Sequence, residues 1–556
     1  MFMKPIDPYQ HARSYAIFLF LITLYGFIMI HLYETQVHKQ NFYKNLAEKQ
    51  YSINVTSVPE RALIFDRNSH AIALNKDSYA AFILPKQITD KTALIKFLEE
   101  YFPSAIDRFH QSLDKNFFFI ARKLTDEQKT LITNAKIKDI HILQEPSRFY
   151  PYRCLSTIVG ITDIDNHGIM GIEQAFNSKL QGTSTTHTLK KDARTNHFYF
   201  EKELTEQGVD STPIHLTIDA DLQFKITEIL QETILKLQAK EGGIVIMNPE
   251  NGYIDAMVSY PYFDPQSTEQ LVLESTKNRP VTQAFECGSV IKPFCALAAL
   301  DLQAVTLDEQ INCENTKETK IEGIRVRTVQ PHGTISFKEI VQYSNNIGMV
   351  KVAKRINEQL YDYYRLLGFG QLTGINFPGE HKGFVNPPSK WSAYSIISLS
   401  FGYEITTTLL QLARALSVVY NGGYLITPTL LLETNNQEQT DIAQTPHTKQ
   451  SVLSEKTCAD VDTILQACIQ HGSGKKANIN NYKITGKTGT ANILEHGVYN
   501  EKKHLNTFIG YVEKGDYKRI VTVYIKESEK ASYSSVITAP LFKKTVQALL
   551  IHDHII

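Results

Sequence analysis

Two side chains in the stretch "ECGSVIKPF", residues 286–294, could do chemistry together: the hydroxyl of Ser289 and the amine of Lys292. Pro293 lacks an N–H and fits only near a helix start, and the Ala- and Leu-rich residues after it favour a helix. We therefore expect a helix that begins close to Ser289. Residues three apart share one face of a helix, so the hydroxyl and the amine would face the same side. The serine would also lie at the positive end of the helix dipole, which favours a developing negative charge there. A serine N-cap followed by a solvated lysine is the alternative.

A second motif, "YSNNIG", contains Ser344 and Asn346. Residues two apart face away from each other on a helix, so these side chains converge only where the chain bends. Apolar, helix-like segments lie on both sides of the motif. We therefore predict a loop between two helices, with a helix-capping turn as the alternative.

A third motif, "KITGKTGTANI", contains Lys487, Thr488, Gly489 and Thr490. Its Thr and Ile residues favour a strand, and a glycine inside a strand marks the close approach of another backbone. Such a strand could bind a peptide by edge pairing, and its lysine and threonine could hold a carboxylate. A glycine bulge without function is the alternative.

The order Ser-x-x-Lys, Ser-x-Asn, Lys-Thr-Gly is far more specific than any one of its parts, and it occurs in penicillin-binding proteins and β-lactamases. With these motifs the chain resembles a class B penicillin-binding protein over nearly its whole length, and it is similar to the cell-division branch. Other stretches that resemble the family are "ERALIFDRNSHAIALN", "RFYPYRCLSTIVGITDIDNHGIMGIEQAFNSKLQG", "NRPVTQAFECGSVIKPF" and "WSAYSIISLSFGYEITTTLLQLARALSVVYNGG".

The chain departs from the family pattern at three positions. Ala62 and Ser69 stand where the family usually has glycine, and Cys287 stands where it usually has proline. A thiol two residues before Ser289 either lines the cleft or is buried and inert.

The resemblance implies a peptidoglycan D,D-transpeptidase that cross-links stem peptides ending in D-Ala-D-Ala and is covalently inhibited by β-lactams. Ser289 would be the nucleophile and Lys292 its base, with burial and Lys487 lowering the pKa of that base. Ser344 would relay a proton to the leaving amine, and Asn346 would hold the peptide bond of the substrate.

The resemblance also assigns the terminal carboxylate of the substrate to the third motif, through Lys487, Thr488 and Thr490, with Gly489 between the threonines. The backbone N–H groups of Ser289 and Thr490 would form the oxyanion hole. No metal or organic cofactor is expected.

The N-terminus predicts how the protein is anchored. Residues 14–33, "SYAIFLFLITLYGFIMIHLY", carry no Asp, Glu, Lys or Arg and are long enough to cross a membrane as a helix. Bulky and polar residues follow, which favours an uncleaved anchor over a signal peptide. Lys4 and Arg13 precede the span, so we expect the tail, residues 1–13, in the cytoplasm and the catalytic domain outside it.

Two domains are expected after the anchor. Residues 34–235 would form a stalk and an elongated, mixed α/β pedestal of the dimerisation type. Residues 236–556 would form a β-lactamase-like transpeptidase domain of the α+β or α/β class, with an antiparallel sheet and helices. Its start is placed at "EGGIVIMNPENGYIDAMVSY", which predicts a β-hairpin.

Composition and resemblance together restrict the partners. Lys plus Arg and Asp plus Glu each number 58, so the net charge gives no indication of a nucleic-acid partner. The six cysteines show no metal-binding spacing. The resemblance implies stem peptides and lipid-linked precursor strands as substrates, β-lactams as inhibitors, and a membrane-embedded glycosyltransferase and other division proteins as partners. A D,D-carboxypeptidase or β-lactamase, and an inactive scaffold of a wall-synthesis complex, are the alternatives.

The orientation of the anchor can be tested with reporter fusions. Because the basic residues precede the span, a reporter joined after residue 50 should lie outside the cytoplasm. We expect alkaline phosphatase, which requires an oxidising compartment, to be active at this position, and a cytoplasm-dependent reporter to be inactive. The opposite pair of activities would contradict the predicted orientation.

Overall fold

The computed structural model describes residues 8–57, 59–191, 198–267, 271–432 and 449–555. Residues 1–7 of the expected cytoplasmic tail lie outside the described part. The described α-helices, α1 to α19, span Pro8–Tyr33, Gln40–Tyr51, Lys91–Tyr101, Pro103–His110, Asp126–Ala135, Ser156–Val159, Gly171–Ala175, Asn177–Gln181, Ala220–Leu237, Leu273–Thr276, Arg279–Thr282, Lys292–Asp301, Phe337–Gln342, Asn346–Ile356, Gln359–Leu366, Ser395–Ser400, Leu409–Tyr420, Glu455–Gln470 and Thr538–His552.

The described strands, β1 to β22, span Ser52–Ser57, Ile64–Phe65, Ala71–Ile83, Phe118–Ala121, His141–Phe149, Thr185–Lys191, Phe198–Glu206, Ile214–His215, Glu241–Met247, Ile254–Tyr260, Phe285–Glu286, Gln310–Asn312, Glu318–Ile321, Ile324–Arg327, Thr334–Ser336, Phe384–Val385, Ile405–Thr407, Tyr424–Leu425, Gln450–Ser451, Lys483–Glu495, Val498–Lys514 and Tyr517–Lys526.

One compact unit comprises residues 1–60 and 181–211. It contains α1, which exposes its apolar side chains and belongs to a helical stretch, Ala12–His38, that is long and apolar enough to cross a membrane. It also contains a three-stranded antiparallel sheet in the order β1-β6-β7. The helix fits the expected N-terminal membrane anchor.

The other unit comprises residues 61–180 and 212–556, and its main sheet is antiparallel in the order β10-β9-β22-β21-β20. Helices α9 and α19 pack on one face of this sheet, and α17 and α18 pack on the other. Because both faces are covered, β9 is buried along its whole length and reads as an apolar run. β9 and β10 are the hairpin expected from the sequence, and the architecture confirms the predicted fold class.

The segment 61–180 contributes β2 to β5 of a second sheet in the same unit, in the order β4-β3-β2-β8, with β5 paired to β3. This grouping places most of the expected pedestal in one compact unit with residues 212–556. The boundaries 34–235 and 236–556 stay predictions.

The turn at Ser69, where the family usually has glycine, is left-handed, with φ +64°. The Asp66 carboxylate is buried and accepts hydrogen bonds from the N–H groups of Asn68 at 2.9 Å and His70 at 2.8 Å. It also accepts from Ala220 N at 3.2 Å, at the start of α9. The carboxylate therefore holds a turn that a non-glycine residue adopts at a cost of roughly 1–2 kcal/mol.

A buried ion-pair cluster joins the ends of the segment 61–180. Glu173 is fully buried, and its two carboxylate oxygens each accept at 2.7 Å from the Nε atoms of Arg61 and Arg148. Both arginine side chains are almost wholly buried as well. One carboxylate thus balances two guanidinium groups away from water.

The cluster gives a stability prediction. Glu173→Gln keeps the shape of the side chain but leaves two buried guanidinium groups without a counter-charge, which should cost about 3–5 kcal/mol. We expect a clear drop in the melting temperature of the detergent-solubilised chain. The exposed Glu99 provides the matched control, since Glu99→Gln should melt like the unsubstituted protein. Equal melting of the two variants would show that Arg61 and Arg148 do not depend on this carboxylate.

Candidate active site

Ser289 lies in a 3₁₀ turn, Gly288–Ile291, that leads directly into α12. The α-helix proper begins at Lys292, with Pro293 as its second residue. The expectation of a helix start at this place is confirmed, with a tighter first turn than the sequence indicated. Ser289 is half-buried, whereas the Lys292 side chain is fully buried.

The turn and β20 approach each other closely. A Cβ atom at Gly489 would lie 2.7 Å from the Cys287 carbonyl oxygen and 3.0 Å from Val290 N. A Cβ atom at Gly288, which has φ +58°, would lie 2.8 Å from the Thr490 carbonyl oxygen. A strand glycine that permits backbone approach was the expectation for the third motif, and this geometry confirms it.

Ser344 lies between α13 and α14, as the sequence predicts. Its φ of +60° makes the bend that allows Ser344 and Asn346 to face the same point. Asn345 is the N-cap of α14, and its Oδ1 accepts from Gly348 N at 2.9 Å. The loop and capping interpretations are therefore both correct for this motif.

The three motifs meet at the Lys292 amine. Lys292 Nζ donates to the Ser344 carbonyl oxygen at 2.8 Å and to Asn346 Oδ1 at 2.5 Å, and it lies 3.1 Å from Ser344 Oγ. Lys487 Nζ donates to the same Ser344 Oγ at 3.1 Å and to the Thr488 carbonyl oxygen at 3.0 Å. Within the described residues, no hydrogen bond joins Lys292 to the Ser289 hydroxyl. Catalytic hydrogen bonds are often loose before substrate binds.

The two buried lysines have lowered pKa values. Burial, together with the charge of Lys487, holds the pKa of Lys292 well below its ordinary value. Burial also lowers the pKa of Lys487. Ser344 Oγ lies 3.1 Å from the amine of each lysine. This pattern forms a chain from Lys487 through Ser344 to Lys292.

The hydroxyls of the third motif have partners that the sequence did not indicate. Thr488 Oγ1 lies 2.5 Å from Ser473 Oγ, and Thr490 Oγ1 lies 2.9 Å from Ser534 Oγ and 3.3 Å from Asn506 Oδ1. The motif thus lies where the sequence placed it, but each threonine belongs to a hydroxyl pair. Both Ser473 and Ser534 lie outside the motif, 15 residues before Thr488 and 44 residues after Thr490, and they carry no motif of their own.

Cys287 does not line a cleft. Its side chain is fully buried, and burial raises the pKa of its thiol. Of the two readings of this residue, buried and inert cysteine agrees with the structure, because a reactive thiolate needs exposure or a nearby positive charge.

Two family models match the chain. The one described as the penicillin-binding protein transpeptidase domain matches residues 242–547, and the one described as the penicillin-binding protein dimerisation domain matches residues 56–216. Together they cover most of the chain after the apolar N-terminal helix.

Several curated proteins are similar over nearly full length. Stage V sporulation protein D of Bacillus subtilis is 29% identical, covering 94% of this chain and 84% of that protein. The probable peptidoglycan D,D-transpeptidase PenA of Neisseria gonorrhoeae is 28% identical, covering 97% and 92%. The peptidoglycan D,D-transpeptidase FtsI of Escherichia coli is 26% identical, covering 87% and 82%.

Solved structures share the fold. Penicillin-binding protein 3 of Mycobacterium tuberculosis in complex with aztreonam superposes with a TM-score of 0.69 at 22% identity, covering 90% of this chain and 97% of that one. A peptidoglycan synthetase of Bifidobacterium adolescentis superposes with a TM-score of 0.71 at 20% identity, with the same coverage.

The protonation state of Lys292 can be tested by substitution. Arginine keeps the positive charge and a long stem but stays protonated, because its pKa exceeds about 12. If Lys292 acts as a base, Lys292→Arg should lose acylation by a β-lactam by several orders of magnitude while keeping a melting temperature close to that of the unsubstituted protein. Stopped-flow acylation with a chromogenic β-lactam, measured beside a thermal melt, gives both quantities. Near-normal acylation by a folded Lys292→Arg protein would exclude the base role.

Proposed function

Because this chain belongs to the class B penicillin-binding proteins, we propose that it is a peptidoglycan D,D-transpeptidase that joins D-Ala-D-Ala stem peptides through a serine acyl-enzyme during septal wall synthesis. The hydrogen-bonded group of Lys292, Ser344, Asn346 and Lys487 beside Ser289 is the observation that supports this most. β-Lactams would acylate the same serine.

The proposed acylation step uses Lys292 as the base for Ser289. Ser289 Oγ attacks the carbonyl carbon of the penultimate D-Ala, and its proton passes to neutral Lys292. The oxyanion accepts hydrogen bonds from the N–H groups of Ser289 and Thr490, a donor type worth roughly 2.7–4 kcal/mol where one has been removed. When the tetrahedral intermediate collapses, the amine of the terminal D-Ala leaves with a proton that Ser344 relays. The amine of a neighbouring stem peptide then attacks the ester and frees Ser289.

The third motif would hold the substrate. Lys487 and Thr488 face the terminal carboxylate in this proposal, with Ser473 supporting the Thr488 hydroxyl at 2.5 Å. Asn346 donates its Nδ2 to the Arg327 carbonyl oxygen at 2.7 Å, which fixes the side-chain amide that would meet the peptide bond.

The rival hydrolase functions lack a visible activating group for water. Among the described residues, the hydrogen-bond partners of Lys292 and Lys487 are hydroxyl, carbonyl and amide groups, and none is a carboxylate. The intact group at Ser289 equally argues against an inactive scaffold. A peptide amine is therefore the favoured acceptor.

The location and the partners follow from the anchor and the family. The apolar helix α1 would hold the chain in the inner membrane by a single span, with the N-terminus in the cytoplasm and the catalytic domain outside. Lipid-linked precursor strands would supply the donor peptides. A membrane-embedded glycosyltransferase and other division proteins are the proposed partners.

The acyl-enzyme assignment gives a direct prediction. We expect penicillin to acylate Ser289, because this serine lies one turn before Lys292, whose amine belongs to the lysine network. Mass spectrometry of the labelled and digested protein should find the adduct on the peptide that contains Ser289. Ser289→Ala should abolish labelling without lowering the melting temperature. An adduct on another peptide, or undiminished labelling of the alanine variant, would refute the assignment.

A further inference from the structure

Ser534 is a buried serine behind β20, in the segment that joins β22 to α19. Its carbonyl oxygen accepts from Thr538 N at 2.9 Å and Ala539 N at 3.0 Å, and from Thr538 Oγ1 at 3.2 Å. The first turn of α19 therefore fixes the backbone of Ser534. A side chain held in this way can act as a rigid support.

The Ser534 hydroxyl supports one peptide group of β20. Its Oγ donates to the Gly489 carbonyl oxygen, which is the nearest of its acceptors. The same Oγ lies 2.9 Å from Thr490 Oγ1 and 3.0 Å from Asn506 Oδ1. A hydroxyl has one proton. Because Ser534 donates its proton to the Gly489 carbonyl oxygen, Ser534 Oγ can accept a hydrogen bond from the Thr490 hydroxyl. The backbone N–H of Ser534 also donates to Thr490 Oγ1, at 3.3 Å.

The peptide group that Ser534 contacts carries the Thr490 N–H on its opposite side. The Gly489 carbonyl and the Thr490 N–H belong to one planar trans amide, so they point in opposite directions. In an extended strand, the N–H and C=O of one residue point to the same edge. The Thr490 carbonyl oxygen faces the Gly288–Ile291 turn, since a Cβ atom at Gly288 would lie 2.8 Å from it. The Thr490 N–H therefore faces the same turn, which contains Ser289.

We propose that Ser534 is a positioning residue for the oxyanion hole: its hydroxyl holds and polarises the Gly489–Thr490 amide, whose N–H stabilises the oxyanion formed at Ser289. This inference rests on the proposed acyl-enzyme function. Ser534 does not touch the substrate and acts from the back of β20. No other described side chain hydrogen-bonds the Gly489 carbonyl oxygen.

Two physical effects contribute to this role. A hydrogen bond to the carbonyl of an amide polarises the amide and strengthens its N–H as a donor, since linked hydrogen bonds reinforce one another. The bond also restrains rotation of the peptide plane, and oxyanion donors act mainly by being preorganised. Both effects operate on the transition state, so they should change the acylation rate constant and leave the binding of the β-lactam unchanged.

The experiment separates binding from acylation in the full-length protein. Stopped-flow measurements with a chromogenic β-lactam give the dissociation constant of the first complex and the acylation rate constant. For Ser534→Ala we expect the rate constant to fall roughly ten-fold, a fraction of the 10²–10³ that follows loss of a whole oxyanion donor. The dissociation constant and the melting temperature should stay close to those of the unsubstituted protein. Ser532→Ala, an exposed serine two residues earlier, is the matched control and should change neither constant.

A second variant tests whether Ser534 acts through the amide or through the Thr490 hydroxyl. Thr490→Val removes the hydroxyl but keeps the branched shape and the backbone amide. If Ser534 acts on the amide, Ser534→Ala should lower the rate constant by the same factor in the presence and absence of Thr490→Val. An effect of Ser534→Ala that disappears in the valine background would overturn the proposal.

The remaining outcomes are distinguishable. Ser534→Ala with an unchanged acylation rate, or with a weaker first complex alone, would overturn the positioning role while Ser289-dependent acylation upholds the proposed function. Absence of acylation in the unsubstituted protein would overturn the proposed function and this inference with it.

Discussion

The proposed chemistry of this protein depends on two buried lysines that share one hydroxyl. Lys292 and Lys487 are both excluded from water, and both donate towards Ser344 Oγ. A buried charge is costly, and two like charges this close are more costly still. Both causes hold the pKa of Lys292 well below its usual value, and burial also lowers the pKa of Lys487. In the proposed mechanism, burial is what would allow the Lys292 amine to act as a base.

Three elements far apart in the chain must meet to produce that site, and α18 lies beneath all of them. It packs against α12, which carries Lys292, against α13, which precedes Ser344, and against β20, which carries Lys487. Its Cys468 is buried and donates to the Val341 carbonyl oxygen at 3.7 Å. The helix therefore helps to keep water from the lysines, and the side chains that it buries are apolar or weakly polar.

The local sequence signals of the three motifs predicted most of the candidate site. The bend at Ser344 followed from two residues that cannot converge on one helix, and the backbone approach at Gly489 followed from a glycine in a strand. The partners of the threonines could not be predicted, because Ser473 and Ser534 reach the third motif only through tertiary packing. Local sequence patterns predict elements and faces, whereas pairings between distant loops depend on the whole fold. The fold class was predictable because its hairpin and its amphipathic helices are local features, and the resemblance supplied their arrangement.

The position of Cys287 shows why the Gly288–Ile291 turn tolerates a change in the residue before it. Proline at this position would fix φ near −65° and remove a backbone N–H. Cys287 has φ −90°, and it keeps its backbone N–H and its rotation about φ. The turn is held from outside instead: Gly288 N donates to the Gly402 carbonyl oxygen at 3.2 Å, and a Cβ atom at Gly402 would lie 2.1 Å from the Gly288 carbonyl oxygen. The Thr490 carbonyl oxygen packs against the same turn at Gly288. Because backbone groups of two neighbouring segments define the turn, the placement of Ser289 depends on those contacts more than on the residue that precedes Gly288.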